Sequence, residues 1–238
     1  MIGRFHEISV HAPDVLASLD FYERLGFTQV TAGEAWSHPY AVVADGRLAI
    51  GLHGRELARS PLLAFVLPDL FDHLASLEAR GIEILDRRLG DDVFNEASFE
   101  AAGQRIRLLE ARTHSPAQQA PGETSQLGWF EEYLLPVSDL KKAQQSWERL
   151  GFVPAEEGDE PFPHIGLTSD SLDVALLRAG ILTRPALMFT DPDMSARIAR
   201  LADAGFEMAR KPPGNLDPAR HALLLAPEGT QLLLTTAE

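Results

Sequence analysis

Polar residues that can bind ligands or transfer protons alternate with aliphatic residues near the start of the chain. Glu7, Ser9 and His11 occupy every second position of one segment, and in a β-strand such residues project from the same face. His53 lies in a later β-like segment and would project from that face too. A carboxylate beside imidazole groups can bind a divalent metal ion or act in acid–base catalysis. We therefore take Glu7, His11 and His53 as candidate catalytic residues.

Arginine and aromatic side chains extend this set into a candidate ligand-binding cleft. Arg105 and Arg107 alternate along another β-like segment, where either guanidinium could pair with Glu7 or bind an anionic group. Aromatic side chains supply a large contact area with few rotamers to freeze, which suits the walls of a pocket. The complete candidate ligand-binding set is Glu7, Ser9, His11, Trp36, His38, Tyr40, His53, Arg105 and Arg107.

Three residues in the second half of the chain occupy places comparable to this set and suggest a second cleft. Glu132 corresponds to Glu7, and His164 corresponds to His38. Arg178 is the predicted ion-pair partner of Glu132. Most other positions expected to face the second cleft are apolar, so we expect the first cleft to be the functional one.

Composition excludes several functional classes. The chain has 238 residues and no cysteine, which rules out disulfides, iron–sulfur clusters, zinc–thiolate sites and cysteine nucleophiles. The formal net charge of −14 would repel nucleic acid, and we expect no nucleic-acid partner. No stretch approaches the eighteen apolar residues of a membrane span, so we expect no membrane partner and a cytoplasmic location.

The elements that would position these residues follow a pattern that occurs four times. An Asp begins an amphipathic run in each case, and a Gly follows twelve positions later. An Asp side chain accepts hydrogen bonds from the first turn of a helix, and a Gly just past the last turn readily ends it. The pattern predicts four helices, which span Asp14 to Gly26, Asp69 to Gly81, Asp139 to Gly151 and Asp193 to Gly205.

A β-like segment precedes each predicted helix, and about three more follow it, which makes four βαβββ units. Residues 5–27 align with residues 130–152 at a constant offset of 125, and both segments end in Glu-Arg-Leu-Gly-Phe. This repetition indicates an internal duplication. Residues 113–127 have the polar composition of a linker, so we predict modules at 1–112 and 128–238.

The segments HAPDVLASLDFYERLGF and VSDLKKAQQSWERLGF resemble the vicinal-oxygen-chelate superfamily, which includes glyoxalase I, bleomycin-resistance proteins and extradiol dioxygenases. The resemblance covers nearly the whole chain outside the linker. It implies an α+β fold in which the four units form two glyoxalase-like modules, each with a curved mixed sheet around a cleft. It leaves the chemistry open, because the fold hosts isomerases, lyases, dioxygenases and drug-binding proteins.

The resemblance also implies where the ligands of a metal ion would lie in this sequence. In metal-using members, ligands usually lie seven residues before the Asp that begins a helix and near the end of each last strand. The first rule selects Glu7, Leu62, Glu132 and Ala186, and the second selects Gly51, Arg107, Leu176 (or Leu177, if the register slips by one) and Leu233. Only the two glutamates can bind a divalent ion, and a guanidinium would repel one. We therefore expect no metal and no other cofactor.

These observations favour a binding protein similar to glyoxalase and bleomycin-resistance proteins, which holds a small organic ligand, anionic or aromatic, in its first cleft. The alternative is a metal-dependent lyase, isomerase or dioxygenase that uses Glu7 with His11 or His53, or acid–base chemistry on the same groups. A third hypothesis is an assembly scaffold. The residues leave open whether the chain is an enzyme. Two fused modules are compatible with either a monomer or a homodimer.

Overall fold

A computed structural model describes residues 2–31, 37–111, 125–214 and 216–237. The strands are β1 Arg4–His11, β2 Thr28–Val30, β3 Tyr40–Ala44, β4 Ala49–His53, β5 Leu62–Leu67, β6 Ile84–Arg88, β7 Glu96–Ala101, β8 Gln104–Glu110, β9 Trp129–Val137, β10 Val153–Gly158, β11 His164–Thr168, β12 Asp173–Arg178, β13 Ala186–Asp191, β14 Ala222–Leu225 and β15 Gln231–Thr236. The helices are α1 Val15–Arg24, α2 Leu70–Ala79, α3 Leu140–Glu148 and α4 Met194–Asp203.

The strands form two mixed sheets with matching orders, and they confirm the predicted α+β fold. The first sheet has eight strands in the order β2-β3-β4-β1-β5-β8-β7-β6. The second has seven, in the order β10-β11-β12-β9-β13-β15-β14. In both sheets the first strands of the two units, β1 with β5 and β9 with β13, lie antiparallel at the centre. Each central strand also has a parallel neighbour from the end of its own unit.

The helices begin and end near the predicted residues, although their capping differs. Asp14 accepts a hydrogen bond from the N–H of Ala17, and Asp139 accepts one from Lys142, each at 3.0 Å. The side chains at the two other predicted starts make no such bond. In α2 a carboxylate from β8, that of Glu110, accepts from the first N–H instead. The four glycines that follow the helices all have positive φ, between +79° and +99°.

The fourth unit has one strand fewer than predicted. After α4, the place of the missing strand is taken by a single bridge between Met208 and Leu224. Lys211 to Gly214 follow this bridge and include two consecutive prolines. Because proline has no N–H to donate to a neighbouring strand, this sequence prevents the bridge from extending into a ladder.

The two modules share one apolar core on the helix-facing sides of both sheets. Trp147 of α3 and Tyr22 of α1 are fully buried within it. Contacts also cross between the halves, because the ring of Phe27 lies 6.5 Å from that of Phe189. The side chains of Ser18 and Tyr22 both donate to the carboxylate of Glu228, at 2.9 and 2.8 Å.

The end of the predicted linker belongs to the packed structure. Most of residues 113–127 lie outside the described residues, but Ser125 and Leu127 are fully buried. Ser125 donates to the buried carboxylate of Asp45 at 2.9 Å, and the N–H of Gln126 donates to the carbonyl of Leu25. These contacts follow from the burial of the Asp45 carboxylate, which requires hydrogen-bond donors.

Within the described part of the chain, no helix combines the length and the apolar character that a membrane crossing requires.

Removal of the Tyr22 hydroxyl should weaken the contact between the modules. We expect Tyr22→Phe to lower the free energy of unfolding by about 1.5 to 3 kcal/mol, the range for hydrogen bonds to charged groups. Urea unfolding followed by circular dichroism measures this change. Thr168→Val, which removes an exposed hydrogen bond to Asp173, is the control and should change stability by less than about 0.5 kcal/mol. Equal effects of the two variants would contradict the role given to Tyr22.

Candidate functional site

The concave face of the first sheet collects the polar residues predicted for the first cleft. Strand alternation puts the aliphatic residues of β1 against the helices and leaves Glu7 and Ser9 on the opposite face. Tyr40 is the direct cross-strand partner of His53. Glu7, Ser9 and His53 are all buried, with at most 2% of each exposed.

A β-bulge in β1 adds a residue that the sequence pattern did not select. The pairing of β1 with β5 shifts between Phe5 and Glu7, so His6 is the extra residue. A bulge breaks the alternation of faces. The Nε2 atom of His6 accordingly lies 3.9 Å from Oε2 of Glu7. The corresponding strand β9 has a bulge at the equivalent place, where Glu131 is the extra residue.

The carboxylate of Glu7 is held by hydrogen bonds from three side chains. Ser9 donates to Oε1 and Tyr40 donates to Oε2, both at 2.6 Å. Nε2 of His53 lies 3.3 Å from Oε1. Gly51 makes room for this arrangement, because a methyl group there would overlap the carboxylate.

The surroundings of Glu7 keep its carboxyl group ionised. Burial alone would raise its pKa, but the hydrogen bond from His53, the nearby charge of His6 and the hydrogen bond from Ser9 together lower the pKa to about 2. A buried charge of this kind requires compensating donors on every side. The first cleft therefore contains a fixed negative charge over the whole range of ordinary pH.

A second histidine extends the network outward from Glu7. Nε2 of His38 lies 2.9 Å from Nδ1 of His53, so the two rings share a hydrogen bond. The ring of Tyr40 packs against His53 with centroids 4.5 Å apart. Burial lowers the pKa of His38 to about 4, and the positive charges of Arg55 and Arg107 contribute to that shift.

A cavity lies beside this network, over β5 to β8 of the first sheet. Its volume is about 240 Å³. An apolar cavity of about 150 Å³ already holds benzene, so there is room for a ligand with one aromatic ring. Arginines dominate the polar part of the wall and outnumber carboxylates by five to two. The lining residues are Arg55, Ala58, Leu62, Asp86, Arg87, Arg88, Glu96, Ala97, Ser98, Arg105 and Arg107.

The predicted pairing of Glu7 with the arginines holds only in part. Arg105 is paired with Asp86 of β6 and hydrogen-bonded to Ser98, instead of with Glu7. Arg107 has its Nε atom 3.7 Å from Oε2 of Glu96, a residue of β7. Burial lowers the pKa of Arg107, whereas the charges of Glu96 and Glu7 raise it. Glu7 therefore stabilises the Arg107 cation as one member of a wider network.

His11, the third candidate catalytic residue, pairs in register with His53 on the neighbouring strand β4. Within the described residues, however, it does not form with Glu7 and His53 a group of three that could hold a metal, and its backbone N–H donates to Ser60 Oγ at 3.0 Å. Trp36 lies outside the described residues. The additional polar residues, which sequence reasoning did not select, are His6, Arg55, Asp86, Arg87, Arg88 and Glu96.

The second cleft is filled by side chains of its own module. A buried apolar cluster covers the concave face of the second sheet and includes Phe162, which is 5% exposed. The Nδ1 atom of His164 donates to the carbonyl oxygen of Phe162 at 2.8 Å. The other buried members of this cluster are Leu134, Ala175, Leu177, Leu182, Ala186, Met188 and Leu233.

Glu132 lacks the partner that the sequence predicted for it. Arg178 is exposed at the end of β12 and pairs in register with Val137, five residues along β9 from Glu132. Burial and the negative charges of Glu131 and Asp173 raise the pKa of Glu132 to about 8. The predicted Glu132–Arg178 ion pair is therefore wrong, and Glu132 is protonated at neutral pH.

No protein-family model and no curated protein sequence matches this chain. Solved structures do match. A homoprotocatechuate 2,3-dioxygenase variant from B. fuscum, solved in complex with HPCA, aligns with a TM-score of 0.66 at 17% identity, over 99% of this chain and 71% of that one. The 2,3-dioxygenase LapB from a Pseudomonas species gives 0.64 at 15% identity, over 98% and 92%. A catechol 2,3-dioxygenase gives 0.63 at 15%, over 99% and 88%. This similarity shows the fold.

The same comparison corrects the prediction about cofactors. We expected none, but the similar structures are extradiol dioxygenases and point to a metal cofactor of the kind that these enzymes use. Of the three groups named with the sequence resemblance, dioxygenases are the ones that these structures represent. The expectation of no cofactor is therefore wrong on this comparison.

The donor atoms of this chain do not fit such a metal. Across the centre of the first sheet, Glu7 pairs with Ala64, which pairs with Arg107. The equivalent row of the second sheet is Glu132, Met188 and Leu233. Each row offers one carboxylate, and a divalent ion in a protein normally takes at least three donor side chains. Within the described ranges, no group of three His, Asp or Glu residues is placed to hold a metal.

The two equivalent glutamates should give opposite dependences of stability on pH. The folded-state pKa of Glu132 is raised to about 8, so the folded protein keeps a proton that the unfolded chain releases above the ordinary value of 4.5. Its presence therefore lowers stability progressively as pH rises between these values. We expect Glu132→Gln to be more stable than the wild type at pH 8, with a smaller gain at pH 5, as measured by urea unfolding.

Glu7→Gln is the matched comparison. Because the folded-state pKa of Glu7 is lowered to about 2, its stabilising contribution is complete above pH 4.5 and is lost as pH falls towards 2. We expect this variant to be less stable than the wild type at neutral pH, with a difference that shrinks in acid. The same sign of pH dependence for both variants would contradict the contrast drawn between the clefts.

Proposed function

We propose that this chain, which has the two-module fold of the vicinal-oxygen-chelate superfamily, binds a small organic anion in the cleft of its first module. The observation that carries the proposal is the concentration of arginine around one cavity in a strongly acidic protein. Among the cavity arginines that form ion pairs, Arg105 and Arg107 are the most enclosed. Only 11% and 12% of their side chains are exposed. A guanidinium fork suits a carboxylate, which it can bind through two parallel hydrogen bonds.

The volume of the cavity and the apolar part of its wall indicate the class of ligand more closely. The cavity volume of about 240 Å³ suits a molecule with a single ring. Leu62, Ala58 and Ala97 supply apolar surface between the arginines, so a flat apolar body with a charged end would satisfy both parts of the wall. An aromatic carboxylate has this composition. The similar homoprotocatechuate dioxygenase is solved with such a compound, HPCA, which supports the class for this chain without identifying the ligand.

Binding should raise the thermal stability of the protein. A ligand at about 100 times its Kd adds about 2.7 kcal/mol, which corresponds to a rise in Tm of roughly 5 to 10 °C for a chain of this size. We expect phenylacetate or homoprotocatechuate to produce a saturable rise in the wild type, as measured by differential scanning fluorimetry. Arg107→Gln should remove most of it.

Two further variants make this test decisive. Arg210→Gln, which changes an exposed arginine of the second module, is the control and should keep the full shift. If Arg107→Gln is poorly folded, Arg105→Gln serves in its place. An unchanged shift in both cavity variants would place the ligand elsewhere and contradict the proposal.

A second candidate function is a dioxygenase, or another metal-dependent lyase or isomerase of the same superfamily. It is favoured by the similarity to ring-cleaving dioxygenases over 98 to 99% of this chain. Under this hypothesis, protein purified without chelator should retain a stoichiometric divalent metal and consume oxygen when homoprotocatechuate is added.

Elemental analysis and an oxygen electrode measure these two properties, and chelator-treated protein is the control. Oxygen uptake that is lost with the chelator would establish the second candidate in place of simple binding. Saturable binding of homoprotocatechuate with no oxygen uptake would support the first candidate.

A further inference from the structure

The arginines that line the cavity lie at different depths. Arg105 and Arg107 belong to β8, and their side chains are largely enclosed. Arg88 also lines the cavity, but it belongs to β6, the edge strand of the sheet, and it is exposed. Strand β7 lies between these two strands. The cavity therefore has cationic groups both at its base and at its rim.

Strand register places Arg88 and Arg107 on the same face of the sheet. Arg107 pairs with Ser98, and Ser98 pairs with Asp86, so these three residues form one row across β8, β7 and β6. Arg88 lies two residues beyond Asp86 and projects from the same face, because side chains alternate along a strand. Strand spacing and rise separate the Cα atoms of Arg88 and Arg107 by about 12 Å. Two long side chains at this separation can reach opposite ends of a one-ring ligand.

The guanidinium of Arg88 differs from that of its neighbour Arg87. Arg87 donates to the carboxylate of Glu78 at 2.6 Å, and Glu78 belongs to α2 on the helix-facing side of the sheet. Arg88 forms no ion pair or hydrogen bond with another side chain in the described part of the chain. Alternation therefore directs the two arginines to opposite faces and leaves Arg88 for a ligand in the cavity.

A carboxylate separates the two cationic ends. Glu96 of β7 is the cross-strand partner of Arg88, and its Oε2 atom lies 3.7 Å from Nε of Arg107. Its negative charge would repel an anionic group placed between the two arginines. Ala58 and Leu62 supply apolar surface in the same cavity. The wall therefore favours a ligand whose negative charges lie at its two ends, with an uncharged body between them.

We propose that the cavity takes a dianionic ligand of the aromatic dicarboxylate class, and that Arg88 is the specificity-determining residue that binds its second anionic group. This inference rests on the proposed function, because Arg107 must hold the first carboxylate. Arg88 is exposed, so solvent and salt screen its attraction and its effect on affinity is modest. Its main effect is to discriminate between ligands with one and with two charges.

A matched pair of ligands tests this inference. Phenylacetate has one carboxylate, and (4-carboxyphenyl)acetate has a second one at the opposite end of the same ring. We expect the wild type to bind the dicarboxylate about three- to fivefold more tightly at low ionic strength and neutral pH, as measured by isothermal titration calorimetry. Added salt should reduce this preference, because salt screens an exposed charge more than an enclosed one.

Variants of Arg88 show whether this residue causes the preference. Arg88→Gln should bind the two ligands with nearly equal affinity, because it should lose more affinity for the dicarboxylate than for phenylacetate. Arg88→Lys retains the positive charge and should retain the preference. Arg210→Gln, which changes an exposed arginine of the second module, is the control and should behave as the wild type.

The possible failures of this inference and of the anion site are distinguishable. Equal affinities of the wild type for the two ligands, or a full preference in Arg88→Gln, would contradict the role of Arg88 only. Failure of the wild type to bind either ligand would contradict the anion site and, with it, this inference.

Discussion

The ionised carboxylate of Glu7 is the constraint on which the first cleft depends. Transfer of a charge from water into a sheet is costly unless hydrogen bonds replace its hydration. Ser9, Tyr40 and His53 provide these bonds, and the absence of a side chain at Gly51 provides the space. Because the carboxylate is fixed and charged, it sets the proton positions on His53. The arginines outside the network complete a cleft with separated charges of opposite sign.

The second module shows what the same position becomes without such compensation. Glu132 is equivalent to Glu7, yet its neighbours across the sheet are apolar and its nearest charges are negative. It is consequently more stable as the neutral acid, and Phe162 and other apolar side chains cover the surrounding face. Duplication preserved the sheets and the helices but not the electrostatics. The first module therefore keeps a polar cleft, whereas apolar packing closes the cleft of the second.

The sequence was sufficient for the fold because the fold depends on local and periodic signals. The Asp and Gly that bound each helix, the alternation in β1, and the repeat at an offset of 125 all act within short segments. The site depends on pairings between distant segments, which no local pattern encodes. The bulge at His6 and the pairing of Arg105 with Asp86 arise from strand register. His38 and His53 both belong to the predicted ligand-binding set. Their hydrogen bond was not predicted, because it depends on how β3 pairs with β4.

The fold and the donor atoms give different indications of chemistry, because the core and the cleft are under different physical constraints. Helix-facing residues are constrained by a shared core in which a change of volume is costly, so the dioxygenase-like backbone persists at 15 to 17% identity. Residues on a concave face are constrained only by what the cleft binds. In the first sheet, the row that begins with Glu7 ends in Arg107, whose positive charge opposes a bound cation. A guanidinium instead of a carboxylate at such a position reverses the preferred ligand charge while leaving the strands in register. Function in this chain must therefore be inferred from the groups on the concave face, because the backbone alone is compatible with either charge.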